Sequence, residues 1–321
     1  MERIKWIDVA KGWGIILVIY GHVTNDYFSS WLYTFHMPLF FFLSGYFFNP
    51  LMKPFDFFRS KVKRLLLPYV ILGIPIFFID IHYGFNPLRL LFSFIIQQRA
   101  STLWFIGALF MQFVIAYFIY HYISRIIIRW CIVLILTFFG LFLWRCGVTS
   151  LPWNTDVSMV ALPFFCLGHD IRNKSFFHEL LCIKSYSKYV FSLFIINLIG
   201  TIIMCNIPYS QIDLCEAHFS FEPIAYITAF AGIFFVCVIS NKFYLKYIAY
   251  IGKNSLVFFA WQQDIAIMIM LKILGNFHIF DAPKGIGVVY RNIILVIGSL
   301  ILLTILNEII VRTKLKVLIG K

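Results

Sequence analysis

Apolar stretches long enough to cross a bilayer recur along almost the whole chain, and they constrain its fold more than any motif does. A helical span needs roughly 20 apolar residues, and such stretches occur near 7–24, 30–48, 65–81, 102–122, 130–146, 157–171, 186–206, 223–240, 253–274 and 291–311. With 61% of its residues hydrophobic and 13% charged, the chain is too apolar for a soluble domain. Hydrocarbon offers no hydrogen bonds to a backbone, so runs of this length read as helices that satisfy themselves. The expected fold is all-α, a polytopic integral membrane protein of about ten transmembrane helices, organised as one domain over residues 1–321.

Orientation follows from the cations, which gather on the cytoplasmic side of short loops. Twenty of the 27 Lys and Arg residues fall at the amino terminus, in the 2–3, 4–5, 6–7 and 8–9 loops, and in the tail. Six (Arg89, Arg99, Arg145, Lys272, Lys284 and Arg291) fall on the opposite side, and Lys11 lies inside a helix. Both termini are therefore expected in the cytoplasm. This asymmetry accounts for most of the net charge of +13, which makes no separate case for nucleic acid. The seven Cys show neither CxxC pairs nor Cys/His ligand spacing, so neither a metal site nor a disulfide framework is expected. Asp8 and Lys11 interrupt the first apolar segment and no small-residue cleavage site follows, so it reads as a retained helix rather than a signal peptide. The chain carries no Walker loop, dinucleotide glycine fingerprint or GxSxG elbow.

The first hairpin, residues 8–46, concentrates the polar load. It puts Asp8, Lys11, His22 and His36 into hydrocarbon, where ionisable side chains are costly and mark function. Lys11 and His22 are eleven residues apart, so they share a helix face about 16 Å apart along the axis, with Asp8 near the same stripe. The turn at 25–30 makes the two helices antiparallel neighbours, which brings His22 and His36 to comparable depth. Pro38 is expected to bend the second helix and free carbonyls beside His36. The bland reading of the histidines is helix-to-helix hydrogen bonding.

Further along, LMKPFDFFRSKVKRLLLPY (residues 51–69) mixes basic and aromatic residues. It reads as an interfacial helix on anionic membrane lipids, or as a place where Lys61, Lys63 or Arg64 grips phosphate. Trp104 is an interface anchor or part of a site. The acidic 7–8 loop with Asp213, Glu216 and Glu222 reads as outer and solvated. In the ninth helix Gln262 and Asp264 lie near mid-depth, and Asp264 needs a partner there.

The blocks IDVAKGWGIILVIYGH, FHMPLFFFLSGYFF, KRLLLPY, LWFIGALF, FFCLGHDI and YIGKNSLVFFAWQ resemble, in order and over residues 4 to about 263, the acyltransferase 3 family of membrane acyltransferases. The closest flavour is the fucose-4-O-acetylase-like branch. The resemblance implies about ten helices in the bacterial inner membrane. It also implies transfer of an acyl group, usually acetyl from acetyl-CoA, to a sugar hydroxyl of a surface polysaccharide or lipid-linked glycan. The family's basic residue and His, separated by ten residues, fall on Lys11 and His22, where many members have Arg at the first position. Gln262 stands where the family often has His. Supporting roles are implied for Asn254 and Ser255 of the KNSL block, with Asp8, Trp104, Gln262 and Asp264.

The chemistry needs a base for the hydroxyl proton and a donor for the oxyanion. Neutral imidazole suits the first, so His22 is expected as base, with His36 assisting or contacting the oxyanion. Lys11 is placed for CoA phosphate or for pairing with Asp8. Ser44 lies about 80° around the helix from His36, which favours direct transfer over an acyl-enzyme. The rival reading is a secondary transporter or glycan flippase. A third, a structural membrane protein, leaves the buried charges unexplained.

Overall fold

The computed structural model describes residues 4–24, 27–97, 102–148, 150–182, 186–206, 213–217, 222–276 and 286–313. No strand occurs among them. The helices are α1 (Lys5–Val23), α2 (Tyr27–Tyr33), α3 (His36–Tyr46), α4 (Pro54–His82), α5 (Pro87–Ile96), α6 (Trp104–Tyr122) and α7 (Ile126–Arg145). They continue with α8 (Thr155–Ile171), α9 (Ser175–Cys182), α10 (Tyr186–Cys205), α11 (Glu222–Lys242), α12 (Lys246–Lys253), α13 (Ser255–Asn276) and α14 (Ile286–Arg312).

Seven of these, α4, α6, α7, α10, α11, α13 and α14, are long and apolar enough to cross a membrane, and the chain is an all-α, multi-pass membrane protein. The sequence led to an expectation of about ten, and the shortfall has physical reasons. The 19 residues of α1 are interrupted by Asp8, Lys11 and His22. The second apolar stretch is broken into α2 and α3, of 7 and 11 residues. The sixth, α8, has only 17 residues. These three segments nevertheless form the centre of the bundle: all residues of α3 but Ser44 are buried, and α8 is buried along most of its length. The apolar α7 and α10 expose Ile127, Ile135, Phe138 and Phe191, as helices facing lipid do. The polar segments are thus ringed by apolar ones, which keeps ionisable groups out of hydrocarbon.

Close backbone contact holds that centre. A Cβ at Gly252 of α12 would collide with the Asp8 carbonyl of α1, and one at Gly12 with the Ile248 carbonyl. Small residues permit such approach between membrane helices. The same device joins α3 to α8, where Gly45 meets the Phe165 carbonyl and Gly168 the Phe42 carbonyl.

Two irregular turns follow from local chemistry. Pro68 lacks the N–H that the Arg64 carbonyl would accept, and the ladder of α4 widens to a π-turn over Val62–Leu66, with Leu67 N–H bonding to Val62 O. Pro75 opens carbonyls in the turn before it, and that of Leu72 accepts Trp261 Nε1–H at 2.9 Å. Trp261 leaves helical geometry at φ −109°, ψ 2°, and a second π-turn, Gln262–Ile267, follows in α13.

Replacing Gly252 by Val is expected to part α1 from α12 and lower stability by about 1–3 kcal/mol. Gly275→Ala, with nothing within 4 Å of the added methyl, is expected to leave stability unchanged. Melting of the purified protein in detergent, followed by size-exclusion chromatography, checks both.

Candidate functional site

The break between α2 and α3 is built by a polar knot. Thr34 Oγ1 donates to the Trp31 carbonyl at 2.7 Å, ending α2. Asn197 of α10, 1% exposed, donates from Nδ2 to the Thr228 carbonyl at 2.7 Å and to Thr34 Oγ1 at 3.3 Å, and its Oδ1 accepts Trp31 Nε1–H. The Phe35 ring fills the space that Gly232 of α11 leaves open. His36 is therefore the first residue of α3, and Pro38 is its third. The expected bend at Pro38 does not occur: the chain breaks before the histidine, and Pro38 stands in a first turn where its missing N–H costs nothing.

His36 is buried, 2% exposed, and its Nδ1 lies 2.7 Å from the Leu32 carbonyl oxygen. A carbonyl only accepts, so Nδ1 carries the proton and Nε2 is the lone-pair nitrogen of the neutral ring. His22 stands exposed in the last turn of α1. Tyr33 links the two. Its ring packs edge-on to His36 with centroids 4.9 Å apart, and its hydroxyl reaches the Gly21 carbonyl at 3.5 Å. The imidazoles lie within electrostatic reach of each other, as the hairpin geometry predicted.

The acidic loop is less solvated than its composition indicated. Leu214 and Ala217 are buried in the main core, Asp213 lies within electrostatic reach of Tyr33, and Glu222 is paired with Arg145. Parts of that loop lie outside the described residues.

Below the histidines is an aromatic floor. Phe40, Phe105 and Phe259 meet at centroid distances of 6.0, 6.3 and 5.1 Å. α3 and α6 run the same way, since Phe48 meets Phe113 as Phe40 meets Phe105. α13 runs opposite to α6, since Thr102 Oγ1 donates to the Ala260 carbonyl at 3.0 Å. His36, four residues before Phe40, and Gln262, three after Phe259, thus lie on the same side of the floor. Gln262 is fully buried, and neither end of its carboxamide has a hydrogen-bond partner. Asp264 lies beside Thr102, its Oδ2 3.4 Å from the hydroxyl whose single proton is shared with the Ala260 carbonyl. It also lines a cleft of about 330 Å³ between α4 and α13, together with His82, Tyr83 and Lys272. Neither His22 nor His36 lines that cleft.

The opposite end of the bundle carries the cations. Lys11 is partly buried, its Nζ 5.5 Å from the Phe47 ring centroid, and Asp8 lies one turn before it against α12. Lys61 turns inward, its Nζ 3.3 Å over the Phe113 ring. Lys63 and Arg64 in the adjoining π-turn are exposed. Asn254 closes α12, its Nδ2 donating to the Tyr250 carbonyl at 2.8 Å, and Ser255 opens α13. Both belong to the turn beside the Gly252 contact, remote from the histidines. Trp104 packs against Phe105 at 6.0 Å and offers its carbonyl to Asn154 Nδ2 at 3.2 Å.

A family model described as an acyltransferase domain, that of the acyltransferase 3 family, matches residues 4–308. The chain belongs to the acyltransferase 3 family. No curated protein and no solved structure matches it. In this acyltransferase the matched region runs from the start of α1 to the last turns of α14, so both histidines and all the inward-facing cations lie within it.

Two side chains that position the acyltransferase's histidines carry no signal read from single residues: Tyr33 and Asn197. The available cue for Asn197 is its isolation inside FSLFIINLIG. The hub at Asp170, which accepts Tyr120 Oη–H and Trp130 Nε1–H at 2.9 Å each, is likewise unmarked, although its residue stands in the FFCLGHDI block.

Asn197→Leu is expected to strand the Trp31 indole N–H and to loosen the α2–α3 break. The cost is about 1–3 kcal/mol of stability, with a loss of activity through His36. Ser192→Ala, one turn earlier on the exposed face of α10, is the control and leaves both unchanged. Thermal melts and transfer assays on the purified variants check this.

Proposed function

We propose that the protein is a membrane O-acetyltransferase of the bacterial inner membrane. It takes acetyl from cytoplasmic acetyl-CoA to a sugar hydroxyl of a cell-surface polysaccharide or its lipid-linked precursor. The observation that carries the reading is the placement of His22 and His36 at one end of the bundle, bridged by Tyr33, whose ring packs on His36 and whose hydroxyl reaches the carbonyl beside His22, in a chain of an acyltransferase family. The cations Lys11 and Lys61 at the other end support an anionic donor arriving from that side. Succinyl or another short acyl group fits the same chemistry.

In the reaction one imidazole accepts the sugar hydroxyl proton as the oxygen attacks the thioester carbonyl. The tetrahedral oxyanion collapses, the C–S bond breaks, and the thiolate takes up the proton, giving ester and free CoA. His36 suits the base role because the Leu32 carbonyl fixes its tautomer with Nε2 as the basic atom. His22 then stands on the acceptor side. The helix N-terminus at which His36 sits favours developing negative charge.

Radiolabelled acetyl-CoA incubated with the purified protein and glycan acceptor is expected to yield covalently labelled glycan. His22→Ala and His36→Ala should each lower the rate by roughly 10²–10⁴-fold, the exposed His22 variant keeping the wild-type melting temperature and the buried His36 variant melting lower but still folded at the assay temperature. Uptake of glycan precursor into vesicles without covalent label would overturn the proposal in favour of transport.

A further inference from the structure

Gln112 lies midway along α6 and is fully buried, and neither Nε2 nor Oε1 of its side chain has a partner. Burying a primary amide with both ends unpaired is costly, and Leu or Met would fill the same volume without that cost. The residues one turn to either side on its stripe, Ala108 and Ala116, are methyl groups, also fully buried. The carbonyl of Ala108 is already taken by Ser158 Oγ at 2.7 Å, so it does not compete for the carboxamide. Gln112 is thus a lone polar group in a strip of helix with little side-chain bulk on either side.

Its position along α6 gives it meaning. The next residue, Phe113, carries the inward ammonium of Lys61 over its ring. Two turns toward the histidine end, about 10 Å along the axis, is Phe105 of the aromatic floor. From the basic end to the histidines the bundle therefore offers a cation, then an uncharged donor–acceptor pair, then an apolar floor. A carboxamide is matched by a secondary amide, whose N–H donates to Oε1 while its C=O accepts from Nε2. A slender chain with secondary amides spaced behind a phosphate-bearing head has the pantetheine arm's chemistry.

We infer that Gln112 is a binding site for one of the two amides of the pantetheine arm of the acyl donor, at mid-depth between Lys61 and the aromatic floor. The inference rests on the donor named under the proposed function.

The test uses the full chain in detergent and measures binding by calorimetry. The ligands are acetyl-CoA and two analogues in which one or the other pantetheine amide is replaced by an ester. Wild type is expected to bind one analogue about ten-fold more weakly than acetyl-CoA. Gln112→Leu is expected to bind acetyl-CoA about ten-fold more weakly than wild type does, to lose its discrimination against that analogue, and to melt no lower than wild type. Gln112→Met is read the same way if the Leu variant does not fold.

Unchanged acetyl-CoA binding in the variants would overturn the inference, as would discrimination that persists in full. A lower melting temperature in both variants would overturn it too, since the carboxamide would then be held within the free protein, by water or a neighbour. Folded wild-type protein that binds no acetyl-CoA would sink the donor reading itself and this site with it. Wild-type binding with indifferent variants sinks this site alone.

Discussion

An ionisable side chain in hydrocarbon is costly, and α1 carries Asp8 and Lys11 within the bundle, both partly buried, and His22 in its last turn. α1 cannot sit on the rim, so it is flanked by α3, α11, α12 and α14. Apolar helices such as α7 and α10 take the lipid-facing positions. The closeness of α12 to α1 depends on glycines at Gly12 and Gly252, since any side chain there would push α1 outward and open its polar face to lipid.

The two ends of the bundle differ in kind. At the basic end cations lie over aromatic faces, Lys11 by Phe47 and Lys61 by Phe113, a contact that stabilises positive charge. At the histidine end the site is held by directional bonds, His36 by the Leu32 carbonyl and the preceding break by Asn197. Alignment of a proton acceptor calls for such fixed geometry.

The sequence made the first hairpin readable because the cost of charge in a membrane is a one-residue property. His22 and His36 could be paired by helix arithmetic and a short turn. The break before His36 was not readable. It is made by Asn197, more than 160 residues away, and Pro38, the local candidate for the irregularity, lies harmlessly in a first turn. The inward turn of Lys61 was equally hidden, since its neighbour Phe113 comes from another helix, whereas Lys63 and Arg64, with similar local sequence, face outward. The π-turn that separates them has a local cause in Pro68. α12 escaped because eight residues carry too short a pattern to stand apart from the span that follows.

Three carboxamides buried in this bundle sharpen the distinction between holding a fold and serving a ligand. Asn197 uses both ends, donating to Thr228 and Thr34 and accepting from Trp31, and the chain path depends on it. Gln112 and Gln262 are as deeply buried and use neither end. A hydrogen bond left unmade in a low-dielectric interior costs more than a made one contributes, so stability alone would favour an apolar residue at both positions. Local rules are broken where function requires it, and these two stand on opposite sides of the Phe40–Phe105–Phe259 floor, one facing the histidines and the other the cations. On the proposed reading, a thioester entering from the basic end would have to pass those three rings to reach His36, so their packing is the contact that acyl transfer would have to open.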